Sequence, residues 1–205
     1  MLHYTAMDSA QAAMDRLCDP QYEVSAHYLI AEDGACYEMV DPKMRAWHAG
    51  VGSWRGLDDI NSRSIGIELA NDGSSPFAAL LMTALEGLLR QILEQFDLPP
   101  KAVIGHSDMA PGRKCDPGRR FDWRRLALQG LAVWPNVTAT TPTDADRFCE
   151  SLVNFGYPDL GADVLLDAFR QRFRPHETGP LDDWDMAAAA DLSARFGVDR
   201  DPNTA

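Results

Sequence analysis

The sequence predicts an α/β fold followed by a small three-helix domain, and three observations lead to this prediction. Short segments rich in β-forming residues alternate with amphipathic helical patterns over residues 1–135. Residues 136–143 have the Thr- and Pro-rich composition of a linker. Residues 144–205 then carry three further helical patterns. We therefore expect one sheet-containing domain and one helical domain.

The first domain opens with a strand, a helix and a hairpin. Residues 1–5 have the composition of the end of a strand, and residues 8–18 show Ala, Met and Leu at helical spacing behind an Asp or Ser cap. Residues 24–30 alternate and are rich in β-formers. Residues 36–40 do the same after a Glu-Asp-Gly turn at 32–34. These two segments predict a β-hairpin.

A further strand, a long helix and a short strand complete the first domain. Residues 64–69, Ser-Ile-Gly-Ile-Glu-Leu, predict a strand that ends in an Asn-Asp-Gly-Ser turn. Residues 79–96 carry Leu, Ile and Phe on one side and predict an amphipathic helix. Two prolines then break the chain, and residues 102–106, Ala-Val-Ile-Gly-His, predict a short buried strand.

Composition excludes several classes of function. The net charge of −12 argues against nucleic acid as a partner, because a phosphate backbone requires a basic surface. Apolar stretches fall far short of the ~20 residues that a transmembrane helix needs.

No secretory signal pattern is present, so we expect a cytoplasmic protein, or an envelope protein if upstream sequence is missing. We also expect a monomer. The four cysteines form no Cys-x-x-Cys pair, which excludes a cysteine zinc ribbon.

Two histidines and an aspartate form a candidate metal site. His3 lies on a predicted strand, His106 at the end of another, and Asp116 in the loop ten residues later. Two imidazoles and one carboxylate are a three-ligand set that leaves zinc an open position. Spacing alone does not distinguish such ligands from surface or core residues. Residues 105–118 are dense in Gly, Pro and polar side chains, which is typical of a functional loop but also of a solvated connector.

Residues 105–118 closely resemble the signature of type 2 N-acetylmuramoyl-L-alanine amidases. Four further blocks resemble the same family in the same order, and they are residues 2–7, 24–30, 46–50 and 61–69. The resemblance extends over residues 2–135. It implies a central mixed β-sheet flanked by helices, as in the type 2 amidase and peptidoglycan-recognition fold.

The resemblance also implies a reaction and its residues. The zinc ligands fall on His3, His106 and Asp116, the catalytic carboxylate on Glu68, and the catalytic lysine on Lys114. The implied cofactor is Zn²⁺, and the implied substrate is peptidoglycan or a muropeptide. The implied reaction is hydrolysis of the amide between the lactyl group of N-acetylmuramic acid and L-alanine, in cell-wall turnover. A catalytically inactive recognition module is the alternative, although such modules usually lose a zinc ligand.

Five residues are candidates for substrate contact, and all but Asn61 have a structural alternative. They are His27, His48, Trp54, Asn61 and Arg113. His27, between apolar neighbours, is favoured as a core histidine, whereas structure and substrate contact are weighed equally for His48. Cys115, next to Asp116, is an alternative metal ligand through its thiolate. Neighbouring residues in an extended chain point in opposite directions, so with Asp116 at the ligand position we expect Cys115 not to bind the metal.

The helical region has its own resemblance. Residues 155–157, Phe-Gly-Tyr, and residues 168–175 resemble the helical peptidoglycan-binding domain. Such a domain raises the effective concentration of a tethered enzyme on a polymer. The alternative is a region that contributes stability only.

Overall fold

The computed structural model describes residues 1–198; residues 199–205, the end of the predicted helical domain, lie outside the described residues. The strands are β1 Leu2–Tyr4, β2 Tyr28–Ile30, β3 Cys36–Glu38 and β4 Ile67–Leu69. The helices are α1 Ala10–Cys18, α2 Ala79–Gln95, α3 His106–Met109, α4 Trp123–Leu128, α5 Ala145–Phe155, α6 Ala162–Phe173 and α7 Asp183–Phe196. Short 3-10 turns lie at Pro20–Tyr22, Ile60–Ser62 and Pro100–Ala102.

The four strands form one mixed sheet in the order β1-β4-β2-β3. Strands β1, β4 and β2 are parallel, and β3 is antiparallel to β2, which confirms the predicted hairpin. Successive side chains of a strand point to opposite faces. Ile67 and Leu69 therefore join the core beneath α2, whereas Glu68 between them faces the other side of the sheet. His3 is paired with Glu68 and shares that second face.

Two predicted strands are much shorter than the sequence pattern suggests. Residues 24–30 contribute only β2, because the backbone N–H groups of Ser25 and His27 bond the carbonyls of Trp47 and Gly66 instead of the neighbouring strand. Residues 64–69 likewise contribute only β4. Loop contacts thus replace ladder hydrogen bonds ahead of β2.

The predicted strand over residues 102–106 is wrong. The segment makes one parallel bridge, between Gly105 and Leu2, and α3 begins directly at His106. The helix begins there because the Asp108 carboxylate accepts the Gly105 backbone N–H at 2.8 Å, as in a helix N-cap. His106 therefore lies in the first turn of a helix and not at the end of a strand.

Helices α1 and α2 lie where the sequence predicts them. The Ser9 hydroxyl accepts the backbone N–H of Ala12 at 3.2 Å and caps α1. The apolar side of α2 packs on the sheet with five fully or nearly buried residues, which are Leu81, Leu85, Leu88, Leu89 and Ile92. Within residues 1–198, no helix is both long enough and apolar enough to cross a bilayer.

The three C-terminal helices pack against the sheet-containing region through an apolar cluster that is separate from the core beneath α2. In this cluster Phe148, Phe155 and Phe169 join Ile104 and Met109, which lie just before α3 and at its end. The domain boundary at residues 136–143 stays a prediction. This cluster includes residues from both regions.

Candidate metal centre and active site

Three buried side chains converge at the edge of the sheet. His3 comes from β1, His106 from the start of α3, and Asp116 from the loop after α3. Their ligand atoms all lie within 4.8 Å of one another. Asp116 Oδ2 lies 2.8 Å from His3 Nδ1 and 3.0 Å from His106 Nδ1. The Ser107 backbone N–H donates to the Asp116 carbonyl at 2.9 Å, which returns the loop to α3 and fixes the position of the aspartate.

The His106 ring is held in one tautomer by its backbone partner. Its Nε2 lies 2.7 Å from the Ala49 carbonyl oxygen, which only accepts hydrogen bonds, so Nε2 carries the proton. In the neutral imidazole, the other nitrogen then has a free lone pair. That nitrogen is Nδ1, the atom directed at Asp116.

The His3 tautomer follows from a longer chain of partners. The Ser64 hydroxyl donates to the Ile60 carbonyl at 2.7 Å, so its oxygen is left to accept from His48 Nε2, 3.5 Å away. His48 Nδ1 is then an acceptor, and His3 Nε2 donates to it at 3.1 Å. His3 Nδ1 is left with a free lone pair, which also faces Asp116.

The protonation of the cluster fits a bound cation. Burial lowers the pKa of His3 to about 4, so its ring is neutral at pH 7. Burial opposes ionisation of Asp116, but hydrogen bonds with His106 and His3 hold its pKa below the usual range. Two ring nitrogens and a carboxylate oxygen thus converge, and a divalent cation bound there would displace any proton held between them. Two imidazoles and a carboxylate are a donor set suited to zinc.

Two further charged groups line the groove above this cluster. The groove has a volume of about 410 Å³, and its lining includes all three ligand candidates together with Glu68 and Lys114. Glu68 is half-buried and paired with His3 across the strands. Burial raises the pKa of the Glu68 carboxyl to about 8; the Asp116 charge adds to this, and the Lys114 charge opposes it. The structure therefore brings together all five residues that the resemblance singled out.

Two predicted substrate contacts line the groove but already have protein partners. His48 bonds His3, as described above. Arg113 donates to the Ala49 carbonyl at 2.9 Å and to the Val51 carbonyl. Ala49 oxygen thus accepts from both Arg113 and His106. These contacts give His48 and Arg113 a role in orienting the two histidine candidates.

The other three predicted contacts lie behind the groove. Both ring nitrogens of His27 bond backbone groups, Nδ1 with the Gly66 N–H at 2.9 Å and Nε2 with the Met44 carbonyl at 3.0 Å. The Asn61 amide oxygen accepts the backbone N–H groups of His48 and Ala49.

Trp54 is packed edge-on against Phe155 and Tyr157 of the helical region. Its contacts are those of a core residue. Cys115, the alternative thiolate ligand, is exposed and lies 3.0 Å from the Tyr4 hydroxyl oxygen.

Asp108 is the residue that the sequence reasoning missed. It is 1% exposed and accepts the Gly105 N–H at the start of α3. An acidic residue three positions after a helix N-cap was the available signal, because this spacing marks a capping box.

A larger cavity of about 550 Å³ lies elsewhere, at the start of β1 and against α2, and none of the five site residues lines it.

Gly66 should be intolerant of any side chain. A Cβ at this position would lie 2.4 Å from His48 Cγ, so Gly66→Ala should displace the His48 ring. We expect a loss of about 1–3 kcal/mol in the free energy of unfolding, measured with urea. Gly87 is the matched control, because a Cβ there meets nothing within 4 Å. Gly87→Ala, in the interior of α2, should add about 0.5–1 kcal/mol. Wild-type stability in Gly66→Ala would contradict the packing described.

The sequence of this chain matches a known protein family. Residues 1–119 match the amidase 2 family, described as N-acetylmuramoyl-L-alanine amidase. Because this match covers more than half of the 205 residues, the chain belongs to the N-acetylmuramoyl-L-alanine amidase family. The members of this family named below are enzymes.

Two curated relatives show how far the similarity extends. The chain is 34% identical to N-acetylmuramoyl-L-alanine amidase AmiD of Escherichia coli over 97% of this chain and 83% of AmiD. It is 40% identical to 1,6-anhydro-N-acetylmuramyl-L-alanine amidase AmpD of Haemophilus influenzae over 51% of this chain and 58% of AmpD. The AmiD match extends through the helical region, whereas the AmpD match covers about half of the chain.

Solved structures confirm the predicted fold class. One is the complex of Escherichia coli AmiD with anhydro-N-acetylmuramic acid-L-Ala-D-gamma-Glu-L-Lys, with a TM-score of 0.86 and 34% identity over 96% of this chain and 88% of that chain. Another is Pseudomonas aeruginosa AmpDh3 in complex with anhydromuramic pentapeptide, with a TM-score of 0.85 and 32% identity over 96% of this chain and 91% of that chain.

Proposed function

We propose that this protein hydrolyses the amide bond between the lactyl group of N-acetylmuramic acid and L-alanine in muropeptides, with zinc held by His3, His106 and Asp116. The observation that carries the proposal is the convergence of these three side chains with Glu68 and Lys114 in one groove. The AmiD and AmpDh3 complexes with anhydro-muramoyl peptides support the choice of substrate.

The residues of the groove divide the chemistry between them. Zinc, when bound, lowers the pKa of a coordinated water and polarises the substrate carbonyl. Glu68 accepts the proton of the attacking water and passes it to the alanine nitrogen as the C–N bond breaks. Its raised pKa suits a group that must both take and give a proton near neutral pH. The Lys114 ammonium stabilises the negative charge that develops on the carbonyl oxygen.

The walls of the groove fit a sugar linked to an acidic peptide. Trp47 lines the groove and is 55% exposed, with the Arg45 guanidinium over its ring at 4.2 Å, so the exposed part of the indole can contact a sugar. Arg16 and Lys114 also line the groove and supply positive charge on a chain whose net charge is −12. Carboxylates of a muropeptide stem are complementary to these cations.

Peptide release tests the proposal directly. The purified protein should release the stem peptide from an anhydro-muramoyl tripeptide, as followed by chromatography. A chelator should abolish release, and added zinc should restore it, because the ligand atoms are supplied by the chain but the metal is exchangeable. Binding of the muropeptide without cleavage by the zinc-loaded protein would favour the recognition module instead.

A role for the helical region in binding glycan also remains our proposal, based on the resemblance of residues 155–157 and 168–175. The AmiD match over 97% of this chain supports a similar arrangement of both regions.

A further inference from the structure

We propose that the C-terminal helical region positions the ligand candidate His106 at the start of α3. It does so through Arg172 and Tyr157, which both bond Asp108, two residues after His106. This inference rests on the proposed metal role of His106. It gives the helical region a function at the active site that is independent of glycan binding.

Asp108 accepts three hydrogen bonds, and two of them come from the helical region. Its Oδ2 accepts the Gly105 backbone N–H at 2.8 Å and Arg172 Nη1 at 2.6 Å. Its Oδ1 accepts the Tyr157 hydroxyl at 2.5 Å. The carboxylate is 1% exposed, so water does not compete for these positions. The bond to Gly105 sets the start of α3, and His106 is the first residue of that helix.

Arg172 holds the chain on both sides of His106. Its Nη1 bonds Asp108, and its Nη2 donates to the Val103 carbonyl at 3.1 Å. The guanidinium lies over the Trp123 ring at 4.2 Å, which fixes its plane. The planar guanidinium of Arg172, on α6, therefore bonds the segment at both Val103 and Asp108. Because its donors lie in one plane at fixed angles, both partners must keep their positions for the two bonds to form.

A second contact links the same helices to the other partner of His106. The loop after Ala49, whose carbonyl accepts His106 Nε2, reaches the ends of α5 and α7. There Arg55 donates through its backbone to the Gly156 carbonyl and through its guanidinium to the carbonyls of Phe155, Phe196 and Gly197. The helical region therefore contacts both segments that set the orientation of the His106 ring.

The same helix offers a matched control for loss of stability. Arg170 is 3% exposed and pairs with Asp185, which is 0% exposed. Its remaining bonds go to the carbonyls of Gly179 and Pro180, within the helical region. Removing either arginine leaves a buried carboxylate short of a partner, which is strongly destabilising. Of these two arginines, Arg172 alone bonds the segment that carries His106.

The experiment compares zinc affinity in full-length Arg172→Met, Tyr157→Phe and Arg170→Met, measured by competition with a chromogenic chelator, with thermal unfolding of the metal-free proteins alongside. We expect zinc affinity to fall about tenfold or more in Arg172→Met and Tyr157→Phe, in the range typical of groups that orient metal ligands. Arg170→Met should unfold at a lower temperature but bind zinc like the wild type. Tyr157→Phe removes a single hydroxyl and serves if Arg172→Met fails to fold.

Two results would overturn the inference. One is wild-type zinc affinity in both Arg172→Met and Tyr157→Phe, or in Tyr157→Phe alone if Arg172→Met does not fold. The other is an equal loss of zinc affinity in Arg170→Met, which would reduce the effect to general destabilisation. The proposed reaction is judged separately. A wild-type protein that binds zinc and releases no peptide contradicts that reaction but leaves this comparison valid.

Discussion

Replacement of Glu68 with glutamine should lower kcat by about 10²–10⁴-fold, the usual contribution of a general base, while zinc content stays at the wild-type level. The amide keeps the shape of the side chain on β4 but cannot accept a proton from water. Glu68 faces the groove beside His3 and is not one of the three clustered ligand candidates, so metal retention is expected. Peptide release and metal analysis on the same preparation measure both quantities.

Glu38→Gln is the matched control for this variant, because Glu38 lies on the neighbouring strand β3 and is exposed. It should leave kcat unchanged. A Glu68→Gln protein with wild-type kcat would remove Glu68 from the mechanism, and one without zinc would make it a ligand or a support of the ligands.

Glu68 should also make the free energy of unfolding depend on pH, which can be measured without substrate. In the metal-free protein, burial raises the pKa of Glu68 from 4.5 to about 8. Between these values the folded state binds a proton that the unfolded state has released. The contribution of Glu68 to the free energy of unfolding therefore falls as the pH rises from about 5 to about 8. Glu68→Gln lacks this contribution, so its free energy of unfolding should fall less than that of the wild type over this range.

Asp116→Ala should abolish both zinc binding and peptide release. Asp116 is the one carboxylate of the cluster, and its Oδ2 is the atom that both His3 and His106 approach. Two neutral imidazoles alone are a much weaker site for a divalent cation than the three-ligand set. Activity assays at increasing zinc concentration, with equilibrium dialysis, measure the loss.

Thermal unfolding gives an independent check of Asp116. A metal held at about 100 times its Kd stabilises the folded state by about 2.7 kcal/mol, so zinc should raise the Tm of the wild type but not that of Asp116→Ala. Asp159→Ala, at an exposed loop position, should respond to zinc like the wild type. A zinc-dependent rise in Tm in Asp116→Ala would place the metal elsewhere.

The sequence located most of the strands and helices but not α4, and the resemblance singled out five residues that the structure brings into one groove. Neither predicted the contacts among them. Local patterns located α1, α2 and the β2–β3 hairpin, because capping and periodicity act over a few residues. Local patterns were wrong at His106. The apolar run before it predicts a strand, but Asp108 bonds the Gly105 N–H three residues earlier, and a helix begins there instead. The strands were predicted too long because their ends bond loops that are distant in sequence.

Long-range contacts explain the remaining differences. Asp108 and Arg172 are 64 residues apart, so no local sequence pattern predicts the hydrogen bond between them. His48 was a candidate for substrate contact, yet its bond with His3 depends on a fold that brings positions 45 residues apart into contact. The linker composition at residues 136–143 predicts a domain boundary, but no local pattern predicts that one apolar cluster includes residues from both sides of it.

The pairing of His3 with Glu68 ties the geometry of the reaction to the register of the sheet. Adjacent strands lie about 4.8 Å apart, so backbone hydrogen bonds, rather than any loop, set the separation between the proposed base Glu68 and the proposed ligand His3. A slip of one residue in β4 would turn Ile67 or Leu69 into the groove and bury the Glu68 carboxylate beneath α2. Such a slip would destabilise the core and remove the base together. Selection for a stable core thus preserves the spacing of the catalytic groups as well.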